Sequence, residues 1–174
     1  MRHTGRVANP PHGLIAKGPL VGVTFRPHRL FQKCLLDSGQ PIPERVSRLM
    51  IDTGADVTVV HKHVAEDLGI PPLRLHPLVG ISGEPQMRPV YLLSVVLGLS
   101  DGISREGSMT MDAQMIGIDG DRDAECSGVL GRDFLSVCRF YYDGPRGAFV
   151  IDCGEFDKRD SISEAIRPAG LGRS

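Results

Sequence analysis

The sequence predicts an all-β domain, and three observations carry that reading. Glycine (21) and proline (13) supply about a fifth of the 174 residues, and both break helices and build turns. Runs such as Leu20-Val-Gly-Val-Thr-Phe25 and Val57-Thr58-Val59-Val60 are rich in β-formers. Dense turn signals separate the apolar runs, as at Asp37-Ser38-Gly39-Gln40-Pro41, Asp101-Gly102 and Asp143-Gly144-Pro145. The same composition disfavours a helical bundle.

Each element follows from its local pattern. Met1 to Lys17 has no sustained periodicity and is expected to be a flexible leader. Leu20 to Phe25 reads as the first strand, ended by Pro27. Leu30 to Leu36 is a further apolar run, and Asp37 to Pro41 is expected to turn the chain as a hairpin does. Arg45 to Ile51 resumes a strand, with Val46, Leu49, Met50 and Ile51 assigned to the core. His63 to Leu68 reads as one or two helical turns, stopped by Gly69 and Pro71-Pro72. Leu73 to Val79 and Met87 to Leu97 form a long hairpin around the tip Gly80-Ile81-Ser82-Gly83-Glu84-Pro85. Ser108 to Met115 is another alternating strand, Asp119 to Glu125 an acidic loop, and Arg132 to Val137 a short helix. Arg139 to Tyr142 and Gly147 to Ile151 close the domain as a hairpin, and the chain turns polar beyond Cys153. The organisation expected is a leader (1–17), one domain (18–153) and a polar tail (154–174).

Length and charge narrow the function classes. At 174 residues one compact core is expected, so an enzyme needing two full lobes is excluded. The formal net charge of -1 gives no reason to expect nucleic acid or an anionic membrane as partner. No apolar stretch opens the chain as a secretory signal does, and Val90 to Leu99 is roughly half the length of a membrane helix. Cys34, Cys126, Cys138 and Cys153 form no C-x-x-C pair, which points to free thiols and a cytoplasmic protein.

The chemistry concentrates at Leu49-Met50-Ile51-Asp52-Thr53-Gly54-Ala55. A carboxylate at the end of an apolar strand is seldom left without a partner. The glycine beside it lets the backbone turn tightly and approach whatever docks above the acid, and Thr53 can hold the loop through backbone hydrogen bonds. The segment resembles the active-site motif of the retroviral-type aspartic proteases, the retropepsins. Further matches follow in the family's order: Gly80-Ile81-Ser82-Gly83 at the place of the flap, Val129-Leu130-Gly131-Arg132-Asp133 before its one helix, and Arg139 to Ile151 as its closing strands.

That resemblance implies a closed small β-barrel with one short C-terminal helix and a flap hairpin, the active site lying at a homodimer interface. Each chain supplies one Asp52, with Thr53 and Gly54, to a pair of carboxylates sharing a proton. The ionised member activates water and the protonated member polarises the scissile carbonyl of an extended polypeptide. Ala55, Asp56, Gly80, Ile81, Ser82 and Gly83 are then expected to bind substrate. Gly131 and Arg132 are expected to support the site, with an Asp56–Arg132 ion pair. No metal or organic cofactor is implied. The alternative is a non-catalytic module that keeps the fold for dimerisation or peptide binding.

Other patterns carry less. Leu35-Leu36-Asp37-Ser38-Gly39 also has the apolar-apolar-Asp-Ser-Gly form, but Gln40-Pro41 follows in place of a β-branched run, so Asp37 reads as a turn former. His61-x-His63 lacks a third ligand nearby and reads as a surface pair. Asp119, Asp121 and Asp123 alternate but miss the EF-hand glycine and terminal Glu, and read as a solvated loop. Arg26 to Glu44 and Gly98 to Ser108 exceed what a minimal barrel needs and are expected to be surface insertions.

Overall fold

The computed structural model describes residues 2–6, 12–80, 83–100 and 106–153. Its elements run β1 (Arg2–Arg6), α1 (His12–Lys17), β2 (Leu20–Pro27), α2 (Arg29–Asp37), β3 (Arg45–Ile51), β4 (Val59–His61) and α3 (Lys62–Asp67). The second half continues with β5 (Arg74–Val79), β6 (Pro85–Ser100), β7 (Glu106–Ile118), β8 (Gly128–Leu130), α4 (Arg132–Leu135), β9 (Arg139–Asp143) and β10 (Ala148–Asp152). No helix among the described residues is long and apolar enough to cross a membrane.

Six strands close into a barrel in the order β2-β3-β8-β4-β7-β6, and the circle is completed where β2 pairs with β6 from Thr24↔Val96 to Pro27↔Leu93. This is the all-β barrel of the retropepsin-like fold. Strand periodicity decides what fills it. Along β6, Tyr91, Leu93, Val95 and Leu97 point inward and are buried; along β3, Leu49 and Ile51 do the same. Val46, assigned to the core from its apolarity, is out of phase with Leu49 and 79% exposed. Phe25, Phe134 and Phe149 are the largest fully buried side chains and share one core cluster with the strand residues.

Two pairings position the site. β8 inserts between β3 and β4, parallel to the first (Ile51↔Leu130) and antiparallel to the second (Val59↔Val129). The turn joining β3 to β4 is thereby laid against the segment that follows β8. Separately, β5 pairs only with the first part of β6, from Arg74↔Val90 to Val79↔Pro85, while β7 takes over at Val90↔Ile116. Residues 74–89 therefore form a hairpin that runs on beyond the barrel.

The expected leader holds two elements. β1 pairs residue by residue with β10, from Arg2↔Asp152 to Arg6↔Ala148, and Leu14 of α1 is 3% exposed within the core. Sequence periodicity misses β1 because its pairing is carried by backbone groups, which β10 offers on the edge not taken by β9. The apolar run at 30–36 is helical, so the chain has four short helices among the described residues where the local pattern predicts two. Asp37 is the last residue of α2 and makes no hairpin turn. Gly39 adopts φ +70, and Gln40 N donates to Leu35 O (2.8 Å) while Gly39 N donates to Leu36 O (3.0 Å). That is the Schellman pattern, in which a left-handed glycine satisfies the last helical carbonyls. α2 buries none of its residues completely, in keeping with a surface insertion. Residues 98–100 and 106–108, by contrast, belong to a regular ladder that reaches Ser100↔Glu106. The tail at 154–174 lies outside the described residues.

Candidate active site

Asp52 follows the last residue of β3, and its N–H donates to Leu130 O at 3.1 Å. The turn is held from within: Gly54 N donates to Asp52 Oδ1 at 2.8 Å and Ala55 N to Asp52 O at 3.3 Å. A Cβ on Gly54 would lie 3.1 Å from that same carboxylate oxygen, so a side chain here would crowd the acid. Asp52 is half-buried, while Thr53 and Gly54 are exposed. The carboxylate thus stands on a rigid turn with its flank open to solvent.

The support comes from α4. Arg132 N donates to Ala55 O (2.9 Å), Asp133 N to Asp56 O (3.3 Å), and the Arg132 guanidinium to Thr53 O (3.2 Å). Three carbonyls of the turn are satisfied in this way. The expected Asp56–Arg132 ion pair forms, with both side chains more than half exposed. Gly131 is required by close approach: a Cβ there would come within 2.5 Å of the Val57 carbonyl carbon.

Sequence reasoning missed the inner half of this support. Thr58 is fully buried, and both of its donors go to Asp133, the N–H at 2.9 Å and the hydroxyl at 2.7 Å. The same hydroxyl accepts from Gly131 N at 3.1 Å, and Asp133 Oδ1 accepts from Phe134 N at 2.8 Å. An acid at the second position of a predicted helix, following a glycine, was the signal available for Asp133. Nothing local singled out Thr58 from its β-branched neighbours.

The hairpin of β5 and β6 carries the other sequence-predicted residues. Gly80 and Gly83 lie in its exposed tip, where Gly83 N donates to Gly80 O at 3.0 Å; Ile81 and Ser82 fall outside the described residues. The pairings Leu75↔Pro89, Pro77↔Met87 and Val79↔Pro85 put six apolar residues on one face. By strand alternation that face continues the inward side of β6 at Tyr91 and Leu93, yet Leu75, Val79 and Met87 are each about 60% exposed. The opposite face carries Arg74, His76, Gln86 and Arg88 beside Leu78 and Val90, and Arg74 bonds Gln114 while Arg88 bonds Asp119. The three prolines share one parity, so a ladder drawn through 76↔88 and 78↔86 keeps its N–H donors.

One other expectation changes. The histidine pair is not on the surface: His63 is 5% exposed, its ring lies 5.4 Å from that of His61, and burial, ahead of the Arg45 charge, holds its pKa below the ordinary range. Helix α3 turns His63 inward beside Val64 and Ala65. The acidic loop is solvated as expected, with 119–125 all exposed, and it also accepts cations: Asp119 takes Lys62 (2.8 Å) and Arg88 (2.5 Å), whose hydrogen bonds lower its pKa, and Glu125 takes Lys17 and Arg48. Among the described residues no cluster of three His, Cys, Asp or Glu could hold a metal ion.

The family model described as aspartyl protease matches residues 38–134. Among curated proteins, no relative matches the chain. The matched span starts just after Asp37 and takes in the Asp52 turn, the extended hairpin, β8 and α4 up to Phe134. It covers more than half of the chain and all of the contacts that brace the turn, and on that ground the chain belongs to the retropepsin-like aspartyl protease family.

Proposed function

We propose that the protein is an aspartic endopeptidase whose active site is completed by two copies of the chain, each contributing Asp52. The observation that carries this reading is the braced, solvent-facing turn on which Asp52 stands. One chain holds one such carboxylate, and activating a water while polarising a carbonyl takes an acid and a base. Two Asp52 carboxylates facing each other across a two-fold axis cannot both ionise cheaply, so the pair holds one proton. The ionised member takes a proton from the water that attacks the scissile carbonyl, while the protonated member hydrogen bonds the carbonyl oxygen. Proton return to the leaving amine restores the pair.

The apolar face of the hairpin supports an extended peptide with apolar side chains as substrate. Exposed Leu75, Val79 and Met87 gain from covering such a chain, and the exposed tip can close over it. The test is cleavage of an unstructured polypeptide between about pH 4 and 7, with sedimentation measured in parallel. Wild-type protein should cut, a statine-type transition-state mimic should block cutting and favour the dimer, and Asp52→Asn should be inactive. Equal behaviour of wild type and Asp52→Asn at every pH would instead identify a non-catalytic peptide-binding module.

A further inference from the structure

Cys138 and Cys153 take no part in the site just described. Strands β9 and β10 pair Arg139 with Asp152 at the open end of their hairpin, so one further step of register sets Cys138 opposite Cys153. Antiparallel neighbours have Cα atoms about 4.5–5.5 Å apart, within the roughly 4.4–6.8 Å that a disulfide spans. The side chains already meet, with the sulfurs 3.0 Å apart. Both are half-buried against the core cluster, and Cys34 by contrast is exposed. We propose that Cys138 and Cys153 form a dithiol that closes to an intramolecular disulfide when the protein meets a small-molecule disulfide such as oxidised glutathione.

The pair divides the roles. A hydrogen bond from the Cys138 thiol lowers the Cys153 pKa, while that bond and burial raise the pKa of Cys138. Cys153 is therefore the attacking thiolate. It displaces one glutathione thiolate and becomes a mixed disulfide. Cys138 then attacks the Cys153 sulfur and expels the second glutathione thiolate, which takes the Cys138 proton; the first takes the proton Cys153 had released. Two protein thiols are oxidised and one glutathione disulfide is reduced to two thiols. The bond formed ties β10 to the end of α4, since Cys138 Sγ lies 3.8 Å from Phe134 O, one residue beyond the aspartate that holds Thr58.

The full chain, equilibrated with oxidised glutathione, denatured, alkylated and peptide-mapped, tests this by mass, independently of the peptidase reading. The expected product has lost two hydrogens and yields a peptide joined through 138 and 153, with Cys34 and Cys126 outside the crosslink. Cys138→Ser should stop at a glutathione adduct on Cys153, and Cys153→Ser should yield no peptide crosslinked through 138. Two results overturn the proposal: Cys138 and Cys153 both fully alkylated after oxidation, or a glutathione adduct on wild-type Cys153 that never resolves.

Discussion

Asp133 divides Thr58 between its two carboxylate oxygens, Oδ2 accepting the backbone N–H and Oδ1 the hydroxyl. The arrangement ties the β-branched run after the Asp52 turn to the first turn of α4, and every group in it is satisfied. Removing the Thr58 hydroxyl strands the Gly131 N–H. Thr58→Val keeps the shape but leaves the Gly131 N–H without its partner and Asp133 Oδ1 with the Phe134 N–H alone, and should cost about 1–3 kcal/mol of stability. Thr58→Ser should recover most of the loss. Urea unfolding with unchanged slope measures both.

Gly131 tolerates no side chain, because its neighbours are backbone atoms that cannot rotate away. Gly131→Ala should cost upwards of about 2 kcal/mol and lower Tm by several degrees. Gly22→Ala is the control: its Cβ meets nothing within 4 Å, and Tm should hold or rise slightly.

His63 gives stability a pH dependence. Its pKa is lowered in the folded chain, by burial first and by Arg45, His61 and Arg122, against a smaller opposing effect of Glu66. The unfolded chain then binds the proton more readily, so stability is full above the unfolded pKa of about 6.5 and falls as pH drops below it. His63→Gln should flatten the loss between pH 7.5 and 5. An identical slope in wild type and variant, read from unfolding midpoints, would contradict the assignment.

The Asp56–Arg132 pair lies in the open, with side chains 78% and 56% exposed. A double-mutant cycle with Asp56→Asn and Arg132→Gln should return a coupling below about 1 kcal/mol in stability. Arg132→Gln also removes the donor to Thr53 O. Peptide cleavage should therefore fall further in that variant than in Asp56→Asn.

The apolar hairpin face predicts a split in kinetics. Val79→Asp and Met87→Asp alter exposed positions and should leave Tm within about a degree. Each should raise KM for an apolar peptide about tenfold, the equivalent of ~1.4 kcal/mol of lost contact. Unchanged KM in both variants would remove this face from substrate binding.

What could be read from the sequence was whatever local chemistry dictates. The bounds of β3, the closing hairpin and the turn at Asp52 follow from alternation and turn residues near in sequence. The Asp56–Arg132 pair was accessible only through the family motif. The helix at 29–37 escaped because its apolar run precedes Asp37-Ser38-Gly39, a string equally at home in a β-turn and at a Schellman helix end. Val46 was misplaced because apolarity was allowed to outweigh parity. The hydrogen bonds of Thr58 depend on β8 entering between β3 and β4, a topological fact with no trace in either segment.

That insertion sets an order of events. The contacts joining the carboxylate turn to its braces bridge 73, 75 and 79 residues of chain. A growing polypeptide exposes Asp52 long before Arg132 and Asp133 exist to grip the turn, and closing so long a loop must await the strands between. The acid is synthesised early and its turn is gripped late. On the proposed peptidase reading, a nascent chain holds no braced Asp52 turn until nearly all of its own barrel has been made.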